Sequence, residues 1–362
     1  MEGLEKVLAN EIKDLGGQQI KILKRAVQYE GDRALLYKSN LMLRTALRIL
    51  VVKKEFNAIN EGQLYREMNK IPWESIMKME DTFAIDSTAN SEVFRHSKYV
   101  ALKSKDAIVD RFKEKFGKRP NVNIHTPTYR LNLHIRGTKA TLSLDSSGES
   151  LHMRGYRMNT VDAPLNEVLA AGLILLSEWD GESPLIDPMC GSGTILIEAA
   201  RLAMNQPPQK KERSFGFKKW KSFDARLYNE VWEEIASAIT PKRLKISGSD
   251  KSLRAVKVTQ QNLIEAGLDD QISILKKDFF KVYPQKKSTV ITNPPYDERL
   301  KEENINAFYR EIGNKLKKDF KQTNAWIFSG NLDAMEYISL DIDKEYRLMN
   351  GGIPAKFIKY YV

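Results

Sequence analysis

The run Ser288-Thr289-Val290-Ile291-Thr292, followed at once by Asn293-Pro294-Pro295-Tyr296, decides how this chain is read. A short apolar run closed by prolines reads as a buried strand that stops abruptly. Two prolines remove two backbone donors and fix an extended turn. The carbonyls of Asn293 and Pro294 are then available to a cleft rather than to a ladder. An amide side chain, a free carbonyl and an aromatic ring side by side suit a planar base with an exocyclic amine. The two oxygens accept the amine hydrogens, and Tyr296 stacks on the ring. The competing reading is a strand-end turn with a buried tyrosine, so the flanking sequence has to decide.

Upstream of this turn, apolar runs alternate with helical periodicity. Helices are expected over Leu165–Ser177, Ile195–Met204, Ala225–Ile239 and Leu253–Ala266, the last capped by Gly267. Between them, Pro184–Asp187, Leu244–Ser249 and Ile272–Leu275 read as strands that end at or near Asp187, Asp250 and Asp278. Downstream, a helix over Ile305–Leu316 and strands over Ala325–Phe328 and Ala355–Tyr361 complete the pattern. Strand–helix alternation predicts an α/β, doubly wound, mostly parallel sheet of the Rossmann-like kind. In such sheets ligands bind at the carboxyl ends of the strands. Three such ends carry an acid and a fourth carries Asn293.

The first strand runs into Pro188-Met189-Cys190-Gly191-Ser192-Gly193-Thr194. Its glycines let a ligand approach the backbone closely. No Lys-Ser/Thr pair follows, so it is not a phosphate loop. The third glycine of a dinucleotide fingerprint is missing. The next strand-end acid lies 57 residues beyond Gly193, where that fingerprint puts it about 20 on. For each aspartate, a helix cap is the competing role.

The N-terminal part has a different texture. Gly3–Leu15 has helical spacing and ends at Gly16-Gly17. Gln19–Leu23 and Ala34–Tyr37 read as strands around Glu30-Gly31-Asp32, then Leu41–Leu47 as helix and Arg48–Val52 as extended chain. From residue 56, Gly62–Lys70 reads as a helix, Thr82–Ser87 as a strand, and Ser97 as the cap of a long helix to Phe116. Tyr129–Arg136 and Lys139–Leu144 form a hairpin around Gly137-Thr138. The long helix ends among Arg111, Lys113, Lys115, Lys118 and Arg119. That cluster is either charge matched to the helix dipole or a phosphate-contacting face. Residues 205–222 interleave Lys210, Lys211, Arg213, Lys218, Lys219 and Lys221 with Phe215, Phe217 and Trp220. This suits single-stranded nucleic acid, the lysines on phosphate and the rings under bases; the alternative is a loop whose aromatics pack on the domain.

At 362 residues, two or three domains are expected. The divisions fall at 1–55, 56–150, a connector over 151–164, and 165–362. The net charge is +11, of which residues 1–154 carry +8 and the remainder +3. A basic N-terminal part is the electrostatic footprint of a polyanion partner, or else a solubility surplus. A single cysteine, Cys190, excludes an internal disulfide framework and suits a reducing compartment. The four histidines lie in no metal-ligand spacing. No apolar run reaches the length of a membrane span and no signal peptide opens the sequence, so a cytoplasmic protein with no metal and no membrane partner is expected.

Asp187-Pro-Met-Cys-Gly-Ser-Gly-Thr194 with Asn293-Pro-Pro-Tyr296 resembles the class I S-adenosylmethionine-dependent amino-methyltransferases. Gly155-Tyr-Arg157, Ala163-Pro-Leu165, Glu198-Ala-Ala200 and Asn293-Pro-Pro-Tyr-Asp-Glu-Arg-Leu300 narrow the resemblance. They point to the THUMP-containing large-subunit rRNA guanine-N2 methyltransferases, a family often labelled N6-adenine DNA methylases. The resemblance spans nearly the whole chain. It implies a ferredoxin-like segment over 1–55, a THUMP RNA-binding domain over 56–150 and a methyltransferase after the connector. Two departures are the strand that the family usually places before Gly3-Leu4-Glu5, and the second methyltransferase fused in some members.

The resemblance also implies roles. Gly191 and Gly193 pack under the cofactor's amino-acid and ribose portions with Asp187 beneath, among Met189, Cys190, Ser192 and Thr194. Asp250 accepts the ribose hydroxyls, Asp278 takes the adenine amine beside Phe279, and Ala163-Pro164 lie at the cofactor mouth. Asn293, Pro294, Pro295 and Tyr296 carry the methyl transfer, and Asn293 also lies among the cofactor-binding residues. The charge pattern, not the resemblance, makes Lys113, Lys115, Lys118, Arg119, Lys218 and Lys219 the candidate RNA contacts. Three functions stay open: guanine-N2 methylation of large-subunit rRNA, N6-adenine methylation of RNA or DNA, and a non-catalytic RNA-binding or assembly protein that keeps the fold. A cysteine-adduct reaction at a pyrimidine is disfavoured, because Cys190 sits in the cofactor loop.

Overall fold

The computed structural model describes residues 1–157, 164–295 and 302–362. Seven strands form one sheet in the order Ile342–Asn350, Ile353–Tyr360, Asn324–Ser329, Thr289–Thr292, Leu185–Asp187, Ile246–Asp250, Ile272–Lys276. The last five run parallel, and Ile353–Tyr360 is antiparallel to both its neighbours. From Leu185–Asp187 the chain steps outward through the Asp250 and Lys276 strands. It then returns to the other side of Leu185–Asp187 for Thr289–Thr292. The order of winding therefore reverses between these two central strands, which opens a crevice at their carboxyl ends.

Burial follows the pleat. Trp326 and Phe328 join one apolar cluster with Leu169, Leu173, Leu196 and Phe357. Their strand neighbours Ala325 and Ile327 join the opposite cluster with Tyr309, Ile312, Phe320 and Ile358. Successive side chains alternate faces, so one strand feeds two cores. The strand Ile342–Asn350 was not anticipated. Its Asp343-Lys344-Glu345 run leaves only Tyr346 and Leu348 in apolar alternation, too short a signal for a strand, and among the described residues it pairs only with Ile353–Tyr360.

Met1–Leu47 belongs to the same compact unit as His152–Lys211 and Asn229–Val362. It comprises the helix Glu5–Asp14, the hairpin Gln18–Leu23 with Ala26–Glu30, and the helix Arg33–Met42. The expected strand at Ala34–Tyr37 is therefore helical. Asp32 caps the helix by accepting from the Leu35 N–H at 2.8 Å. The helix expected over Leu41–Leu47 is the end of this one, and Leu43 is already extended. Leu4 is fully buried in the methyltransferase-side core, where a Cβ at Gly172 would lie 2.4 Å from its Cδ1.

A polar network ties this segment in. Glu11 accepts from the backbone N–H of Arg44 and of Thr45. The Arg44 guanidinium donates to the Gln206 carbonyl at 2.7 Å, and Arg154 donates to the Arg44 carbonyl at 2.6 Å. Tyr156 donates to Glu198 at 3.1 Å, and Arg201 lies over the Tyr156 ring.

Arg48–Leu151 with Glu212–Tyr228 forms the second unit. Its sheet runs Leu50–Asn57, Lys139–Asp145, Tyr129–Arg136, Phe83–Asn90. The last pair is parallel and the others antiparallel. The strand Leu50–Asn57 thus lies in this sheet. The helix Ser97–Phe116 buries Val100, Ala107, Ile108 and Phe112 and ends at Gly117, whose φ of +68° suits a residue without Cβ. Ser97 opens this helix as its first residue rather than capping it, and its hydroxyl accepts from the Ala89 N–H.

The aromatic part of the basic–aromatic stretch, from Glu212 on, belongs to this unit. Phe215 and Phe217 stack at 5.1 Å, and Trp220 lies parallel to Tyr129 at 6.4 Å. All three rings are buried. The expected base-stacking platform is corrected here: these rings are core, because the domain sheet offers them apolar surface that solvent does not.

Candidate active site

The carboxyl edge of the large sheet opens into a cavity of about 1100 Å³. Asp187, Asp250, Asp278 and Asn293 all line it. So do Pro164, Met189, Cys190, Gly191, Ser192, Thr194, Phe279, Pro294 and Pro295. Gly193 lies within the loop as the residue before the helix Thr194–Ala203, at φ +79°. Ala163 and Tyr296 fall outside the described residues.

Backbone and side-chain bonds from distant residues fix the loop. Its Gly191 N–H donates to Asp250 Oδ2 at 3.1 Å, and Thr259 donates to the Gly191 carbonyl at 2.8 Å. Asn262 Nδ2 donates to the Ser192 carbonyl at 3.0 Å. A Cβ at Gly193 would lie 2.6 Å from the Thr259 methyl, so glycine there answers both a left-handed φ and a close approach. Arg157 reaches from the connector to donate to Thr194 Oγ1 at 2.9 Å and to the Leu165 carbonyl at 2.7 Å. Its Nε lies 3.3 Å from buried Glu167. Thr259 and Asn262 have no local sequence signal, since each acts on a residue far along the chain, whereas Arg157 stands in the Gly155-Tyr-Arg157 motif, which gives no hint of its partner Thr194.

Asp187 is the buried acid of the site. Its Oδ1 accepts from the Met189 N–H at 3.2 Å and the Thr292 hydroxyl at 3.0 Å. Burial raises its pKa to about 7, those two hydrogen bonds opposing the shift and nearby Asp250 adding to it. Asp250 Oδ1 accepts from the Ser252 N–H at 2.8 Å. Both Asp250 oxygens are engaged by the backbone, and each keeps a second lone pair for a ligand hydroxyl. Asp278 caps the short turn Phe279–Lys281 through the Phe280 N–H at 2.9 Å. Burial holds the Cys190 thiol well above its ordinary pKa, which leaves no thiolate for nucleophilic attack.

At the other central strand, Asn293 Oδ1 is buried and makes no hydrogen bond among the described residues. A buried amide oxygen without a donor costs free energy. The cavity is thus lined by carboxylates on one side of the strand break and, on the other, by an amide oxygen without a hydrogen-bond partner among the described residues. Among the described residues there is no cluster of metal-binding side chains, and no helix is long and apolar enough to cross a membrane.

Residues 154–358 match the model of the RMKL-like methyltransferase domain, 58–145 a THUMP domain and 1–50 the RlmL ferredoxin-like domain. The chain belongs to the RMKL-like methyltransferase family. It has the class I methyltransferase fold, which takes its methyl from S-adenosylmethionine, behind ferredoxin-like and THUMP domains.

Among its relatives is the provisionally named RNA methyltransferase slr0064 of Synechocystis sp., 36% identical over 99% of this chain and 94% of that protein. The ribosomal RNA large subunit methyltransferase K/L of Syntrophotalea carbinolica is 34% identical over 99% of this chain. The chain spans about half the length of that K/L enzyme, 52%. The crystal structure of SMU.472, provisionally titled a methyltransferase and complexed with SAH, superposes with a TM-score of 0.89 at 29% identity. It covers 99% of this chain and 96% of that one.

The basic residues expected to meet RNA divide into two groups. Arg111 and Lys115 both pair with Glu74, and Arg119 with Asp110. Lys219 donates to the Pro127 carbonyl at 3.2 Å, and Lys218 lies over the Tyr228 ring at 4.6 Å. Lys113 and Lys118 are exposed and make no ion pair among the described residues.

Proposed function

We propose that this RMKL-like methyltransferase places a methyl group on the exocyclic N2 amine of a guanine in large-subunit rRNA. The single observation that carries the reading is the buried Asn293 Oδ1, without a partner among the described residues, at the break after the Thr289–Thr292 strand, beside Pro294 and Pro295. The THUMP-domain match and the names of the relatives support RNA as substrate. The excess positive charge before residue 154 agrees with a polyanion.

In this reading the acid-bearing strands hold the methyl donor. Asp250 accepts from the ribose hydroxyls, Asp278 from the adenine amine next to Phe279, and Asp187 lies under the amino-acid end. Ala163 and Pro164 close the mouth. S-adenosylmethionine supplies an activated methyl group when bound. An exocyclic amine is a poor nucleophile, because its lone pair is conjugated into the ring. Asn293 Oδ1 and the Pro294 carbonyl accept its two hydrogens, favouring a tetrahedral nitrogen aimed at the donor; the N–C bond would form as the donor's C–S bond broke to leave a thioether, and the surplus proton on nitrogen would pass to water. Tyr296 stacks on the extruded base. Positioning and directed hydrogen bonding supply the rate enhancement, with no covalent step on the protein.

The test is digestion of rRNA from a deletion strain to nucleosides, followed by mass spectrometry. Loss of N2-methylguanosine from the large-subunit rRNA, restored by the wild-type gene, is expected. Loss of N6-methyladenosine instead would redirect the reading to adenine. An unchanged nucleoside profile would reject it.

A further inference from the structure

The cavity carries a fourth acid that the methyl donor does not use. Asp333 follows the strand Asn324–Ser329, which adjoins Thr289–Thr292 on the side away from Asp187, Asp250 and Asp278. Sheet order therefore puts it across Asn293 from the donor-binding acids. Its carboxylate is exposed and makes no hydrogen bond or ion pair among the described residues.

The backbone beneath Asp333 is held firmly. Tyr309 and Ser329 share a hydrogen bond of 2.7 Å, Ser329 Oγ accepts from the Asn331 N–H at 3.0 Å, and Asn331 Oδ1 accepts from the Ala334 N–H at 2.9 Å. Ala334 and Met335 anchor the turn in the core. An acid facing a polyanionic substrate is an electrostatic cost. It is offset where the carboxylate accepts a hydrogen bond from a base.

We infer that Asp333 selects guanine by accepting its N1–H while Asn293 and Pro294 hold the adjacent N2 amine. The inference rests on the guanine reading given above. Guanine presents two neighbouring donor groups, N1–H and the N2 amine, on one edge, and the cavity offers an acceptor for each, a carboxylate following one strand and an amide oxygen following its neighbour. Adenine presents an amine beside an unprotonated N1, whose lone pair the carboxylate repels. A hydrogen bond to a charged group separates the two by about ten- to a hundred-fold. Asp333 is thus a specificity-determining residue that makes no contact with the transferred methyl.

The experiment uses the full chain and a synthetic RNA carrying the mapped target as guanine or as 2-aminopurine. 2-Aminopurine keeps the C2 amine but has no proton on N1. Wild type should prefer guanine by about ten- to a hundred-fold in kcat/KM. Asp333→Ala should lose that preference, slowing on guanine and, with the repulsion of an unprotonated N1 gone, holding or gaining rate on 2-aminopurine. Its affinity for S-adenosylmethionine by calorimetry should be unchanged, and its affinity for RNA unchanged or tighter. Asp333→Asn, which keeps an acceptor without the charge, should fall between the two. An Asp333→Ala enzyme that keeps both its rate on guanine and its preference overturns the inference alone. A wild-type product other than N2-methylguanosine overturns the guanine reading itself and the inference with it.

Discussion

The Thr292 hydroxyl donates to Asp187 Oδ1 at 3.0 Å, joining the ends of the two strands between which the sheet reverses its winding. That bond favours the charged form of an acid whose burial favours the neutral one, and burial wins, at about 7. An acid whose pKa rises on folding binds its proton more tightly in the native state. Its contribution to stability therefore falls as pH climbs from the ordinary carboxylate range, near 4, toward 7, and is lowest above that. In denaturant unfolding of the ligand-free protein, Asp187→Asn should gain stability relative to wild type between pH 5 and pH 8. Thr292→Val should move the midpoint of this effect upward. An equal difference at both pH values would place Asp187 in a wetter site than its hydrogen bonds indicate.

Leu4 sits close to the start of the sequence yet has no exposed surface, and its methyls fill the notch that Gly172 leaves. Leu4→Ala should cost about 2–5 kcal/mol, read as a lower denaturation midpoint with unchanged denaturant slope. A change within about 0.5 kcal/mol, the range of surface substitutions, would show that the helix Glu5–Asp14 docks only loosely. The same packing bears on how RNA binding is assayed. Removing the whole N-terminal part would strip Leu4, Glu11 and Arg44 from the methyltransferase unit, so point substitutions are the cleaner probe.

The legible parts of this protein are those where one residue type does local work. Apolar runs ending in Asp187, Asp250 and Asn293 announced strands and their carboxyl ends, because period and termination are both short-range. Ala34–Tyr37 fits either element, because four apolar residues in a row carry no period, and the Asp32 cap is what decides for helix. The rings of Phe215, Phe217 and Trp220 illustrate a different limit. Composition suggested a nucleic-acid surface, but only tertiary contact with Tyr129 and Tyr228 determines that they face inward. The braces on the glycine loop were illegible for the same reason. Thr259 and Asn262 are ordinary polar residues of the helix Leu253–Ala266 until the fold brings Gly191 and Ser192 beside them.

Ion pairing sorts the candidate phosphate contacts. Lys115 and Arg119 already have carboxylate partners, whereas Lys113 and Lys118 stand exposed on and just beyond the last turn of the same helix. A lysine that neutralises a phosphate releases a counterion, so its loss flattens the salt dependence of binding. Lys113→Ala and Lys118→Ala should each reduce the slope of log K against log salt by about 0.7–0.9. Lys115→Ala should change it less, because part of its charge is spent on Glu74. Fluorescence anisotropy with labelled rRNA fragments between about 50 and 200 mM salt measures the slopes. Equal slopes for all four proteins would move the docking face elsewhere.

Asn293→Ala separates binding from chemistry. The side-chain oxygen lacks a donor within the described protein, so its removal strands no protein group and relieves a buried unsatisfied acceptor. Folding stability should hold or rise slightly. The acids proposed to hold the methyl donor lie on other strands, so affinity for S-adenosylmethionine by calorimetry should stay within a few-fold. Methyl transfer to rRNA from the deletion strain should fall by about 10²–10³, the range for losing one directed hydrogen bond at a reacting centre. The pattern matters more than the size of the loss. A variant that binds donor normally, folds normally and transfers no methyl assigns the oxygen to the acceptor amine. One that loses donor binding in proportion to activity would make Asn293 a cofactor residue, and one that stays active would leave the amine to the backbone carbonyl alone.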